Sequence, residues 1–219
     1  LGNFSVALHG TPLPAGGKTQ QRPLLLLKSL LGSGTAGRPL SALMQLWADV
    51  AAPKTALNAA IHRLRKLLEN DAALLVSGAK ASLDRRQLWS DVDALFALCD
   101  RIDNLPPQAP LAELRGGADE LLDLYRGPFC EGDDTVCLLP MRERCRSRFL
   151  HAADTLGQRL EALQQWPLAH EVYARANEAE PLAEVAYRGM MRCAQGRRDP
   201  AAAFAMYRRC REVVSSVLK

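Results

Sequence analysis

The sequence predicts a mainly α-helical chain, with an N-terminal winged helix-turn-helix followed by a tetratricopeptide-like all-α domain. Three observations predict it. Residues 1–90 read in the order strand, three helices, hairpin; residues from Asp91 onward are almost wholly helical by their apolar periodicity; and side chains near the C-terminus recur at a spacing of 34. At 219 residues the chain has room for two domains of ordinary size, each with its own core, and they are placed at 1–90 and 91–219.

Taken in order, Leu1 to Leu8 alternates apolar and polar (Phe4, Val6, Leu8) and His9-Gly10-Thr11-Pro12 reads as a turn, so the chain opens with a short antiparallel element. A helix over Gln20 to Leu31, entered at Pro23, ends in the glycine-rich run Gly32 to Gly37, which is expensive to hold helical. Ser41 is placed to N-cap a second helix carrying Leu43, Met44, Leu46 and Trp47. A third helix runs from Pro53 to Glu69. At about 100° per residue, Leu57, Ala60, Ile61, Leu64, Leu67 and Leu68 gather on one side of it. Lys54, Thr55, Asn58, Ala59, His62, Arg63, Arg65 and Lys66 gather on the other. Leu74 to Val76, Ser77 to Lys80 and Ala81 to Leu83 then read as strand, turn and strand.

Beyond this, Asp91 or Asp93 caps a helix through Asp100, Asn104 to Pro110 is a proline-rich loop, and further helices span Leu111 to Leu124 and Pro140 to Gln165. Tyr125-Arg126-Gly127-Pro128-Phe129 is a turn between them. Ala169, Tyr173, Arg175 and Glu178 recur as Ala203, Tyr207, Arg209 and Glu212, with Ala152 aligned to Ala186 and Leu156 to Met190. In such repeats a small residue lets two helices approach while an aromatic fills the gap, so Tyr173 and Tyr207 are both expected to pack between helices.

The net charge of +4 is divided unevenly. Residues 1–90 carry five Lys and six Arg against three Asp and one Glu, net +7; the remainder carries 17 bases and 20 acids, net −3. The basic half is therefore the nucleic-acid candidate. On its third helix, Asn58 and His62 stand one turn apart near the middle of the outward stripe and suit base edges, flanked by Lys54 and Thr55; Arg63, Arg65 and Lys66 suit phosphates. Trp47 is read both as core and as an indole whose N–H reaches a phosphate. Lys80, with Arg85 and Arg86, is the candidate on the hairpin.

Other classes find less support. The longest apolar run, Leu24 to Leu27, is far too short to span a bilayer. The chain opens on Leu1 without a charged segment or cleavage site, so no signal peptide is expected, and we expect it to be part of a larger protein. Six cysteines without C-x-x-C spacing read as core thiols in a reducing cytoplasm. Gly17-Lys18-Thr19 is not a P-loop, because Pro12 occupies the position of the first glycine; it reads as a basic turn near the DNA-facing helices. Scattered histidines and the lack of a nucleophile elbow argue against an enzyme, and no cofactor or metal is expected.

Together these residues resemble the bacterial transcriptional activator domain proteins, known from the antibiotic regulatory proteins of Streptomyces, which join an OmpR-type winged helix to a tetratricopeptide-like activation domain. The resemblance is carried by Leu1 to Val6, Leu46-Trp47, Ala56-Leu57-Asn58, Ile61 to Leu68 and Trp89 to Asp93, then by Leu124 to Phe129, Arg142-Glu143-Arg144 and the two repeat tyrosines. It implies Asn58, His62 and Arg63 at the groove, Arg65 near the backbone, and activation through repeated double-stranded promoter sites and contact with RNA polymerase or another regulatory protein. A homo-oligomer is expected and no membrane is involved. The chain departs from the pattern at Ala42, where the OmpR type has a phosphate-contacting Arg, and in its short hairpin without Gly-Tyr. Those departures motivate the alternative, a winged helix that serves as a docking or oligomerisation scaffold in a larger signalling protein.

Overall fold

The computed structural model describes residues 1–13 and 20–217. The turn expected at Gly17-Lys18-Thr19 lies outside the described residues. As expected, the chain is mainly helical with only small sheets. It divides into two compact units, one of Asn3–Asp93 with Gly132–Arg142, the other of Leu1–Gly2, Ala94–Glu131 and Glu143–Lys219.

In the first unit, β1 (Ala7–Leu8) and β2 (Thr11–Pro12) pair antiparallel across His9 and Gly10, both at positive φ (49° and 81°). The strand is shorter than the alternation from Leu1 implied. Three helices follow: α1 (Gln21–Leu31), α2 (Leu40–Met44) and α3 (Pro53–Leu68). A three-stranded antiparallel sheet runs in the order β3 (Arg38–Pro39), β5 (Lys80–Leu83), β4 (Leu74–Ser77). The hairpin turn is the two residues Gly78 and Ala79, since Ser77 pairs with Lys80.

The second helix corrects the sequence reading. It begins at Leu40, with Pro39 before it and Ser41 inside it, exposed and capping nothing. The reason is β3, a two-residue strand with no local signal. Pairing with β5 brings Leu40 to the hairpin turn, where its N–H donates to the Ala79 carbonyl at 2.8 Å and so satisfies one of the helix's orphan donors. The helix is also shorter than expected, and Gln45–Trp47 forms a separate 3-10 turn.

The core of this unit gathers Leu26 and Leu30 of α1, Leu43 of α2, Leu57, Ile61 and Leu64 of α3, and Leu74 and Leu83 of the hairpin. The segment Val136–Leu138 packs on α1, and Lys28 Nζ lies 2.6 Å from Asp133 Oδ2 and 4.7 Å from the Phe4 ring centroid.

The second unit holds α4 (Asp91–Asp103) from Ala94 on, α5 (Leu111–Leu124), α6 (Leu139–Ala162) from Glu143 on, α7 (Trp166–Ala179), α8 (Glu184–Gly196) and α9 (Pro200–Val217). α5 has the predicted bounds. The cap of α4 is Ser90, whose Oγ accepts from the Val92 N–H at 3.2 Å, rather than Asp91 or Asp93. The run Tyr125 to Phe129 bends between helices as expected and also buries Tyr125, Gly127 and Phe129. Tyr125 is 1% exposed, stacks on Phe149 with centroids 4.0 Å apart, and donates its hydroxyl to Glu180 Oε1; Phe129 bridges to Gly2. Burial and the Glu180 carboxylate push the Tyr125 phenol up.

α7 packs on α8 and α8 on α9. Tyr173 of α7 packs between helices, as expected. A Cβ on Gly157 would fall 2.2 Å from the Tyr173 ring and one on Gly189 2.5 Å, so both helices approach it at glycine. Tyr207, its counterpart one period later, corrects the other half of the expectation: it is 51% exposed, because the described residues place only α8 against α9. Four of the six cysteines are buried, and burial raises Cys99 and Cys193 to about 11.

Candidate nucleic-acid interface

α3 is well built to present side chains. Pro53 occupies its first turn, where a missing N–H costs nothing, and Glu69 ends it in the left-handed region at φ +50°. Leu57, Ala60, Ile61 and Leu64 are buried along one side, which fixes the rotation of the helix. The opposite side is left to solvent: Lys54, Thr55, Asn58, Ala59, His62, Arg63 and Lys66 are all exposed. Lys80, first residue of β5, is exposed beside the hairpin turn.

Two predicted site residues lie elsewhere. Trp47 is 3% exposed and sits in the core that supports α3. Arg65 is half-buried and donates from Nη2 to the Leu74 carbonyl at 3.0 Å, joining α3 to the start of the hairpin. Its position explains this: about 100° per residue puts Arg65 at the rim of the outward stripe, next to Ile61. We expect Arg65→Ala to lower stability by roughly 1–3 kcal/mol, since a buried acceptor loses its charged donor. The same change leaves the salt dependence of any DNA binding unaltered. Chemical denaturation and a salt titration of one variant check both halves.

The electrostatics of the unit divide its cations into two groups. Lys28 pairs with Asp133, Arg85 with Asp93 at 2.7 Å, and Arg86 with Asp84 at 2.8 Å, while Arg38 donates to Ser29 Oγ. Arg86 holds the Asp84 carboxyl down to about 2 through two side-chain hydrogen bonds and one from its own N–H. For Asp93, burial outweighs Arg85 and raises the carboxyl. Arg85 and Arg86 are therefore engaged within the unit. Among the described residues of the unit, Arg22, Lys54, Arg63, Lys66 and Lys80 have neither an ion pair nor a hydrogen-bond acceptor on their side chains. Three of these five are on the exposed stripe of α3, around Asn58 and His62. Sequence periodicity identified the stripe; it had no means of telling which cations the fold engages.

Among the described residues no group of His, Cys, Asp and Glu is arranged to hold a metal ion, and no helix is long and apolar enough to cross a membrane. Comparison with curated proteins gives no match. The family model of the bacterial transcriptional activator domain matches residues 91–218, more than half of the chain. That span covers the helices from α4 to α9, including the Tyr125 to Phe129 bend and the Tyr173 packing. The family is one of regulatory domains rather than enzymes, and the chain belongs to the bacterial transcriptional activator domain family.

Proposed function

We propose that the chain is the DNA-binding and activating module of a cytoplasmic transcription regulator. In this reading residues 1–90 form a winged helix whose α3 enters the major groove of promoter DNA. Residues 91–219 form a tetratricopeptide-like domain that contacts RNA polymerase or another regulatory protein. The observation that carries it is the distribution of cations among the described residues: α3 keeps Lys54, Arg63 and Lys66 unpaired on the stripe that also offers Asn58 and His62, while Lys28, Arg38, Arg65, Arg85 and Arg86 are engaged in the unit's own structure. Unpaired cations meet phosphates and position the helix; Asn and His supply the directional donors and acceptors that distinguish bases. Trp47 contributes by packing behind α3.

The test separates specificity from affinity. Asn58→Ala and His62→Ala are each expected to cost roughly 1–3 kcal/mol on the preferred site and little on scrambled DNA, because only a base contact distinguishes sequences. Paired titrations of cognate and scrambled duplexes measure this. Both variants keeping the wild-type ratio would exclude α3 as the reader.

The hairpin favours a second reading, the docking scaffold. Leu75 and Val76 of β4 are 44% and 41% exposed, and Lys80 is the one cation on the two hairpin strands. A scaffold would show salt-insensitive or undetectable duplex binding in the same titrations.

A further inference from the structure

α9 is an exposed face. None of its residues is buried, Phe204 and Tyr207 are 62% and 51% exposed, and their rings stack with centroids 6.3 Å apart. Arg208 and Arg211 flank them on the same side of the helix; Arg208 has a 4.0 Å approach to Glu212, while Arg211 has no ion pair among the described residues. Charge follows the same division. Residues 184–219 carry seven Arg and one Lys against three acids, net +5, whereas residues 91–183 carry nine Arg against 17 acids, net −8.

The complementary face is on α5. Its interior holds Gly116 and Gly117, residues that weaken a helix unless something requires them. A Cβ on Gly117 would make only ordinary contacts, with Leu156 at 3.7 Å and Ile102 at 3.9 Å. One on Gly116 would meet nothing within 4 Å. Gly116 lies on the exposed side of the helix, with Glu113, Asp119 and Asp123 exposed around it, outnumbering the exposed Arg115 and without ion pairs among the described residues. The fold shows how a repeat tyrosine is used, since Tyr173 is seated against glycines of the helices beside it. α5 therefore offers what Tyr207 lacks, a glycine on an open helix face, within a surround of acids that suits Arg208 and Arg211.

We propose that α9 of one copy docks on α5 of a second copy, with Tyr207 seated over Gly116 and Arg208 and Arg211 of α9 against the acids of α5. The helices are comparable in length, 14 and 18 residues. Because the two faces differ, the contact is head-to-tail, and each copy keeps one face of each kind for the next. A contact of one helix on another is small, which places the association in the weak, micromolar class. This contact does not rest on the DNA-binding reading.

Sedimentation velocity of the full chain tests it, with Phe204→Ala/Tyr207→Ala removing one face and Gly116→Lys the other. All three positions are exposed or open, so circular dichroism should match wild type, and thermal melts should match it for Phe204→Ala/Tyr207→Ala and lie at or slightly above it for Gly116→Lys. The wild-type chain is expected to associate with a Kd of about 10–100 μM, weakening as salt rises. Each variant alone should be monomeric, whereas their equal mixture should form dimers and nothing larger, since the mixture contains one intact pair of faces per dimer. A wild-type chain that stays monomeric through that range overturns the proposal, even if α9 captures some other protein. So does a variant that associates like wild type, or a mixture that remains monomeric.

Discussion

Duplex affinity of the chain is expected to fall about a hundredfold between roughly 50 and 200 mM salt, because the exposed cations of the basic unit replace counterions condensed on the DNA. The size of the effect follows from the cations that the fold leaves free. Arg85 and Arg86 carry formal charge but are engaged with Asp93 and Asp84, and Arg65 is turned to the Leu74 carbonyl. Lys54, Arg63, Lys66 and Lys80 remain near the proposed reading surface, so about four phosphates are neutralised and the slope of log affinity against log salt is near −4. Arg63→Ala with Lys66→Ala should bring the slope toward −2 and weaken cognate and scrambled duplexes alike. Arg85→Ala should leave the slope unchanged. A slope that changes with Arg85 but not with Lys66 would mean that DNA meets another surface of this unit.

What could be read in the sequence was what local chemistry determines. α5 has its predicted bounds because prolines precede it and an apolar period runs through it, and the two sides of α3 were set by its periodicity alone. The losses come from long-range pairing. Nothing near Arg38 and Pro39 marks a strand; β5, more than 40 residues later, creates it and thereby moves the start of α2 from the position Ser41 suggested. Asp133 meets Lys28 across a separation of 105 residues, which no pattern records. Arg65 looked like its neighbours on a helical projection, and only the position of the Leu74 carbonyl distinguishes it. The repeat shows the same limit. A spacing of 34 aligned Tyr207 with Tyr173, but similarity of sequence does not supply the helix that would cover the second tyrosine.

That difference between the two tyrosines yields the largest stability effect we expect. Tyr173 is 1% exposed, its ring stands where any side chain on Gly157 or Gly189 would clash, and its hydroxyl donates to Glu161 at 2.8 Å while accepting from Arg192 at 2.9 Å. Burial and the Glu161 carboxylate both raise its phenol, so it remains a donor throughout the neutral range. Tyr173→Ala empties a cavity among α6, α7 and α8 and should cost on the order of 3–5 kcal/mol, a large part of the stability of an ordinary domain. Tyr173→Phe keeps the ring and loses only the hydroxyl, so about 1–2 kcal/mol is expected. Tyr207→Ala removes an exposed side chain and should stay within about 0.5 kcal/mol. Gly189→Ala drives a methyl into the Tyr173 ring and is destabilising alone. Combined with Tyr173→Ala it should cost less than the sum of the two, because the methyl then enters space that the ring has left. Denaturant titrations followed by circular dichroism give all five values. Equal, small costs at Tyr173 and Tyr207, or strict additivity of Tyr173→Ala with Gly189→Ala, would show that the ring does not hold these helices together.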